Sequence, residues 1–263
     1  MDIGFIGTGA LTAAIVTGLQ RVADESVSVV LSPRNETIAA GLASRCRNVR
    51  IADDNQAVLD GCDTIVLALR PQVAGSVLPE LRFRADHHVI TLVGILSRDD
   101  IAAMVAPAGR VTKALPMPMI AHGLGATLVC PPDPATTAFF RQLGKVIEVD
   151  DAAEFDALST ATATFATYFK YLETIQAWLH DHDVADATAR DYLTGLFTAL
   201  AAAPEKAPDA DFMHLAKEYA TRGGINEQVV RELIDHDLFA QVRQSLDSVH
   251  RRITTNGRSF RLA

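Results

Sequence analysis

Two glycines at the amino end of the chain have the spacing of a phosphate-binding turn. Gly7 follows an apolar run typical of a buried strand, Gly9 comes two residues later, and a helical pattern begins at once. The first glycine of such a turn lets the chain bend sharply, and the second lets a pyrophosphate approach the backbone closely. The N–H groups at the helix start favour the phosphate charge. We therefore expect a dinucleotide at Gly7, Thr8, Gly9, Ala10 and Leu11.

The turn departs from the strict G-x-G-x-x-G/A pattern at its third small position. Thr12 stands there, with Ala13 beside it. A tight connection between a strand and a helix, with no ligand, would need much the same residues. The motif alone therefore leaves both interpretations open, and the ends of the next strands must decide between them.

The second strand of the pattern ends in polar groups that suit a phosphate. The run VSVVL is followed by Ser32, Arg34 and Asn35, and no acidic residue stands at the strand end. An acidic side chain there would hold the ribose 2′-hydroxyl of NAD, whereas a guanidinium, a hydroxyl and an amide suit the 2′-phosphate of NADP. We expect NADPH as cofactor, with NAD less favoured. The alternative is that Arg34 is a solvated loop residue.

A third apolar strand ends where a cofactor crevice is expected. The segment TIVLALRPQ reads as a buried strand followed by Ala68, Leu69, Arg70 and Pro71. In open α/β sheets the carboxyl ends of the strands line the crevice that holds the ligand. These four residues therefore join the predicted cofactor site.

The first half of the chain alternates strand and helix patterns. This alternation predicts an α/β fold, a Rossmann-type doubly wound sheet with helices on both faces. The predicted strands are Ile3–Ile6, Val27–Leu31, Thr64–Leu69, His88–Val93, Arg110–Leu115, Ala126–Val129 and Val146–Val149. The predicted helices are Leu11–Arg21, Glu36–Arg45, Val73–Leu81 and Thr136–Leu143.

After Asp150 the strand patterns give way to helical ones. Apolar residues recur there at spacings of three and four, which favours helix. The segment PEKAP, Pro204–Pro208, is expected to be a helix-breaking loop. We expect a dinucleotide-binding domain over residues 1–150 and an all-α dimerisation and substrate domain over residues 151–263.

The composition excludes several classes of protein. The 263 residues are 49% hydrophobic and 21% charged, and the net charge of −8 disfavours a nucleic-acid partner. No apolar stretch reaches the roughly 18 uninterrupted residues of a membrane span. Three scattered cysteines without a CxxC pair favour a reducing, cytoplasmic location. The cluster His180–Asp183 is expected to be solvated, so we predict no metal site.

With these features the sequence resembles the pyrroline-5-carboxylate reductase family over nearly its whole length. The segments GFIGTGALTAAIVTGL, LSPRN, ALRPQ and TLVGILS are similar to family motifs on the cofactor side. The resemblance implies that Asn55 lies near the adenosine ribose and that Gly94 borders the nicotinamide. It also implies reduction of a cyclic imine by NAD(P)H in a homodimer, with pyrroline-5-carboxylate as the default substrate.

The substrate side departs from the family pattern. Met117 stands within LPMPM where the family has an asparagine-containing segment, and Thr162 and Thr164 stand within TATFATY where the family has glycines and a proline. TRGGIN replaces a family turn that ends in two threonines, so that Asn226 stands at the last of them. The reaction class therefore carries over better than the substrate.

The turn Thr221–Gly224 has groups that suit the carboxylate of an imino acid. The N–H groups of Gly223 and Gly224 precede a predicted helix, and Arg222 adds a cation. We place Thr221 and Asn226 at the reacting centre, with Asn226 orienting the substrate because an amide cannot act as an acid. The alternative is a connecting turn with Asn226 as a helix cap.

Two further hypotheses stay open beside the imine reductase. A related NADP oxidoreductase would act on another imine or carbonyl compound, and a nucleotide-binding regulatory protein would lack turnover.

Overall fold

An eight-stranded sheet forms the first part of the molecule. The computed structural model describes residues 2–22 and 27–259. The strand order is β3-β2-β1-β4-β5-β6-β7-β8, and within the described residues the β6–β7 pair alone is antiparallel. The strands are β1 Asp2–Ile6, β2 Ser28–Leu31, β3 Val49–Ile51, β4 Thr64–Leu67, β5 His88–Thr91, β6 Arg110–Leu115, β7 Ala126–Cys130 and β8 Lys145–Glu148.

Helices cover both faces of this sheet. They are α1 Ala10–Val22, α2 Glu36–Arg45, α3 Asn55–Asp60, α4 Pro71–Val77, α5 Arg98–Met104, α6 Pro134–Arg141 and α7 Ala152–Ala161, with short 3₁₀ turns at Leu78–Glu80 and Pro118–His122. Apolar residues of α1, α2 and α6 form one buried cluster with the sheet, and those of α3, α4 and α5 form another. The fold class expected from the sequence is confirmed: a doubly wound sheet followed by an all-helical part.

The chain divides into two compact units. One holds the described residues through Ser159 together with Arg251–Ser259, and the other spans Thr160–His250. The second unit contains a 3₁₀ turn at Thr162–Thr164 and the helices α8 Phe165–His180, α9 Asp186–Lys206, α10 Phe212–Tyr219 and α11 Ile225–Asp235. The last helix, α12 Leu238–Ser259, crosses the division. The domain boundary expected after residue 150 stays a prediction.

Three short elements were not expected from the sequence. Strand β3 has three residues, two of them exposed, so it carries no alternation of apolar and polar residues. Helices α3 and α5 have six and seven residues, too few to show a helical period. Their signals are the caps: Asp54 accepts from the Ala57 N–H, and Ser97 and Asp100 form a reciprocal capping box.

The loop predicted over PEKAP, Pro204–Pro208, begins later in the structure than the sequence predicts. Helix α9 continues to Lys206, with Pro204 inside its last turn, and Ala207 is its C-terminal capping residue. A proline has no N–H to donate to the carbonyl four residues earlier, so α9 loses one hydrogen bond at Pro204 and ends soon after it. The proline therefore marks the approach to the helix end and not its position.

No helix among residues 2–22 and 27–259 combines the length and apolarity that crossing a bilayer requires.

A buried polar network joins the amino-terminal ends of β5 and β6. His88 is 6% exposed, and its Nε2 lies 3.1 Å from the Thr136 hydroxyl and 3.4 Å from an Asp133 oxygen. Arg110 donates to the other Asp133 oxygen at 2.6 Å. Burial alone would raise the pKa of Asp133, but the Thr136 N–H and the Arg110 guanidinium together lower it. Burial also lowers the pKa of His88 and of its neighbour His87.

These two histidines predict a loss of stability on mild acidification. Their folded-state pKa lies below the ordinary 6.5, so below that pH the unfolded chain binds more protons than the folded one. The free energy of unfolding should fall by up to about 1.4 kcal/mol per pH unit for each such histidine. Urea unfolding at several pH values between about 7.5 and about 5 measures this slope.

The variant His88→Gln should flatten the slope, whereas His236→Gln, at an exposed histidine, should leave it unchanged. An unchanged slope in His88→Gln would contradict the assignment.

Candidate functional site

The turn after β1 is fixed by contacts to the segments that follow β2 and β4. Gly7 adopts φ +102°, and a side-chain carbon there would collide with the backbone of Ala68, so only glycine fits. The Gly7 N–H donates to the Ser32 hydroxyl at 2.9 Å. The Thr8 hydroxyl donates to the Ser32 carbonyl at 2.7 Å. The ends of β1, β2 and β4 therefore meet at one peptide unit.

Thr12 explains the departure from the glycine pattern. Its side chain is fully buried, and its hydroxyl donates to the Gly7 carbonyl at 2.7 Å. The third small position is therefore used to hold the turn itself. From the sequence, Thr12 indicates only that a glycine is absent. The hydroxyl five residues after Gly7 is the feature that could have predicted the hydrogen bond to the Gly7 carbonyl.

Ser32 differs from its expected role. The sequence predicted direct contact with a 2′-phosphate, but the side chain is fully buried and its hydroxyl accepts from Gly7. A fully buried group cannot contact a ligand in the crevice, so Ser32 braces the turn instead.

A cavity of about 530 Å³ lies at the carboxyl ends of the strands, beside this turn. It is lined by residues that follow β1, β2 and β4, most of them expected from the sequence: Thr8, Gly9, Arg34, Asn35, Glu36, Ala68, Leu69, Arg70 and Val73. A side-chain carbon at Gly9 would meet no atom within 4 Å. The turn therefore presents bare backbone to the cavity.

Two guanidinium groups belong to this cavity. Arg34 and Arg70 are exposed, and within the described part of the chain neither has a carboxylate within ion-pairing distance. Asn35 caps α2 by accepting from the Ile38 N–H at 3.3 Å. The cavity also includes the carboxylate of Glu36, which sequence reasoning did not single out. Two such cations beside exposed backbone suit a ligand with several phosphate oxygens.

The other residues expected on the cofactor side surround this cavity. Ala10 and Leu11 begin α1, whose first N–H groups lie at the same edge of the sheet. Pro71 is the first residue of α4. Asn55 is the half-buried first residue of α3 and is not among the lining residues. Gly94 is exposed and follows β5.

In the helical unit, the turn before α11 binds a carboxylate of its own chain. Gly223 adopts φ +74°, and its N–H donates to the Glu227 carboxylate at 2.6 Å. The Gly224 N–H donates to the Thr221 carbonyl at 2.8 Å. Glu227 also pairs with Arg231 at 3.4 Å. Both N–H groups of the expected carboxylate cradle are therefore already bound, that of Gly223 by Glu227, which the sequence did not single out, and that of Gly224 by the Thr221 carbonyl.

The remaining residues of this turn face solvent. Arg222 and Asn226 are exposed, and the Asn226 amide donates to the Tyr219 carbonyl at 3.1 Å. Asn226 is therefore not the cap of α11, because Gly224 stands at the capping position. Thr221 is also exposed.

Three further residues were expected to contact substrate. Met117 is half-buried and precedes the 3₁₀ turn Pro118–His122 in the first unit. Thr162 and Thr164 are half-buried in the 3₁₀ turn before α8, where the Thr164 hydroxyl donates to the Ala161 carbonyl at 2.8 Å. Within the ranges that the structure describes, no group of three or more His, Cys, Asp or Glu side chains could hold a metal ion.

Comparisons of the sequence point to nicotinamide-dependent oxidoreductases. Residues 2–94 match the family model described as NADP oxidoreductase, coenzyme F420-dependent. The pyrroline-5-carboxylate reductase of Haemophilus influenzae is 22% identical over 84% of this chain and 85% of its own length. The resemblance to this family seen in the sequence is confirmed, at low identity.

Solved structures share the whole fold. Pyrroline-5-carboxylate reductase from Streptococcus pyogenes matches with a TM-score of 0.85 at 19% identity, covering 97% of this chain and 98% of that one. The Plasmodium falciparum pyrroline carboxylate reductase, solved with NADP bound, matches at 0.84 and 16% identity, covering 98% of each chain. A reductive aminase from Aspergillus terreus, solved with NADPH4, matches at 0.60 and 15% identity, covering 84% of this chain and 77% of that one.

The two glycines of the turn should respond differently to alanine. Gly7→Ala should lower the free energy of unfolding by about 1–3 kcal/mol, because the new side chain is strained at positive φ and meets Ala68. Gly9→Ala should cost less than about 1 kcal/mol, because its side chain points into open space. Urea unfolding of both variants measures the difference, and equal losses would contradict the geometry.

Proposed function

We propose that this chain, a divergent relative of the pyrroline-5-carboxylate reductases, is an NADPH-dependent reductase of a cyclic imine or imino acid. Pyrroline-5-carboxylate, reduced to proline, is the default substrate, which would place the protein in proline biosynthesis in the cytoplasm. The observation that carries the proposal is the cavity formed by the turns after β1, β2 and β4. It joins exposed glycine backbone to two guanidinium groups that form no ion pair among the residues that the structure describes, a combination that suits a dinucleotide diphosphate.

Preference for NADPH over NADH is supported by Arg34. This exposed guanidinium follows β2, where the ribose 2′ position of a dinucleotide lies in such folds. It can donate two parallel hydrogen bonds to a 2′-phosphate. Glu36 in the same cavity would repel a phosphate, so Arg34 must outweigh it for NADPH to be favoured.

When bound, the nicotinamide would supply the hydride that reduces the C=N bond. The residues of this chain position the two reactants, because hydride transfer requires the donor and acceptor carbons to be close and aligned. Gly94 would border the nicotinamide, and Asn55 would lie near the adenosine ribose. Met117 of the first unit is a proposed substrate contact. In the helical unit, Thr162, Thr164 and the turn Thr221–Gly224 are proposed substrate contacts, with Asn226 orienting the imine.

A second candidate substrate is an imine that lacks a carboxylate. The observation that favours it is the hydrogen bond from the Gly223 N–H to Glu227. This glutamate satisfies a donor that an imino-acid carboxylate would need and adds a negative charge that would repel it. Arg222 counteracts this repulsion in part, which is why pyrroline-5-carboxylate stays the default.

A homodimer is the expected assembly. The helical unit exposes large apolar side chains: Phe169 is 67% exposed, Phe212 79% and Ile225 81%. Exposed apolar surface of this extent in one unit is typical of a subunit interface. A single-chain mass in light scattering at micromolar concentration would contradict the dimer.

The decisive assay follows the absorbance of NADPH with pure protein and two imines. Pyrroline-5-carboxylate tests the default substrate, and 1-pyrroline, the same ring without the carboxylate, tests the second candidate. Turnover of 1-pyrroline alone would favour the second candidate. Binding of NADPH without turnover of any imine would favour the nucleotide-binding regulatory protein.

Replacing Arg34 should separate the two coenzymes. In Arg34→Ala the dissociation constant of NADPH should rise about 10- to 100-fold, because a charge-assisted hydrogen bond to the 2′-phosphate is lost. The NADH constant should change less than about threefold. Fluorescence titration measures both, with Arg47→Ala, at another exposed arginine, as the matched control. Equal losses for the two coenzymes would remove the basis of the NADPH preference.

Replacing Glu227 should change the choice of substrate. Glu227→Gln removes a negative charge beside Gly223, so kcat/KM for pyrroline-5-carboxylate should rise about fivefold or more relative to 1-pyrroline. Glu232→Gln, further along α11 and on a different side of the helix, is the control. An unchanged ratio would mean that Glu227 does not face the substrate.

A further inference from the structure

Lys113 is a cation in the interior of the sheet. It lies in β6, with Thr91 of β5 and Cys130 of β7 as its register partners, and is 7% exposed. Burial of an ammonium is costly, and an apolar residue of similar size usually packs at least as well. A charge retained at such a position calls for a reason beyond packing.

The ammonium group has an unusual set of neighbours. Its Nζ lies 3.5 Å from the Gly94 carbonyl oxygen and 4.8 Å from the ring centroid of Phe155. Desolvation lowers the pKa of this lysine, although Asp156 and other acidic groups oppose the shift. The ammonium therefore lies between a backbone carbonyl, at the long limit of a hydrogen bond, and a ring face, with acidic groups further away.

The cavity beside Lys113 does not select an anion. It has a volume of about 280 Å³, and its walls carry both signs of charge, with Lys113 and Arg98 opposed by three carboxylates, those of Asp99, Asp150 and Asp156. An anionic ligand would meet more repulsion than attraction there. An anion bound in this cavity therefore does not account for Lys113, whose ammonium lies beside the Gly94 carbonyl.

Gly94 lies at the edge of the sheet that carries the cofactor cavity. Leu67 of β4 and Thr91 of β5 are register partners, so the segments that follow them leave the sheet side by side. Ala68, on the first of these segments, lines the cavity. A dinucleotide spans the point where the strand order reverses, here between β1 and β4, so one of its halves extends over the end of β5.

The outer side of Gly94 is open to a ligand. The residue is exposed, and a side-chain carbon built there would meet no atom within 4 Å. A flat ring could therefore lie against its backbone. A glycine has no side chain to anchor it, so the orientation of this peptide depends on what its carbonyl contacts, and that contact is Lys113.

We propose that Lys113 is a positioning residue, which holds the Gly94 carbonyl from inside the sheet so that the opposite side of this loop receives the nicotinamide half of the cofactor. The inference rests on the proposed function, because it assumes a nicotinamide dinucleotide in the crevice. It adds a specific role for a buried lysine that does not line the cofactor cavity.

The test compares two ligands that share the adenosine half. In Lys113→Met the dissociation constant of NADPH should rise about fivefold, whereas that of 2′,5′-ADP, which has no nicotinamide, should stay within about twofold of wild type. Lys113→Arg should restore NADPH binding to within about twofold, since a guanidinium also donates to a carbonyl and stacks on a ring. Lys145→Met, at an exposed lysine of β8, is the control.

The outcomes separate the inference from the function on which it rests. Wild-type protein that binds neither ligand would overturn both. Wild-type protein that binds both, with Lys113→Met weakening the two equally or not at all, would overturn only the role of Lys113. Failure of Lys113→Arg to restore binding in a protein with an unchanged Tm would also overturn it.

Discussion

The hydrogen bonds of the Gly7 peptide hold the site together. Its N–H is bound by Ser32 at the end of β2, its carbonyl by Thr12 in α1, and its α-carbon lies against Ala68 beyond β4. The positions of the segments that line the cavity are thus fixed by contacts to one residue, Gly7. A shift of this turn would separate Arg34 from the exposed backbone of Gly9, and the cavity would lose the combination of charge and donors that suits a diphosphate.

The sequence predicts the long elements of the fold and misses the short ones. Strands buried on both faces read as continuous apolar runs, and helices such as α2 show both a period and a cap. Strand β3 and helices α3 and α5 are too short for a period, so their existence depends on the neighbours that cover them. A proline indicates that a helix end is near but does not fix its position, so the sequence places the end of α9 too early, at Pro204.

The site shows the same division between local and distant information. Residues that follow a strand within a few positions, such as Arg34 and Arg70, were expected in the crevice, and they do line one cavity. Contacts between residues far apart in the chain were not foreseen: Ser32 braces Gly7 across 25 positions, and Lys113 reaches Gly94 across 19. Glu227 was overlooked because a glutamate in the first turn of a helix is common and carries no signal of its specific partner.

Isothermal titration calorimetry of NADPH into the wild-type protein tests the central claim most directly. The account predicts saturable binding of one coenzyme per chain, with NADH bound more weakly under the same conditions. A folded protein that releases or absorbs no heat with either coenzyme would contradict it, and the crevice at the carboxyl ends of the strands would then need another ligand.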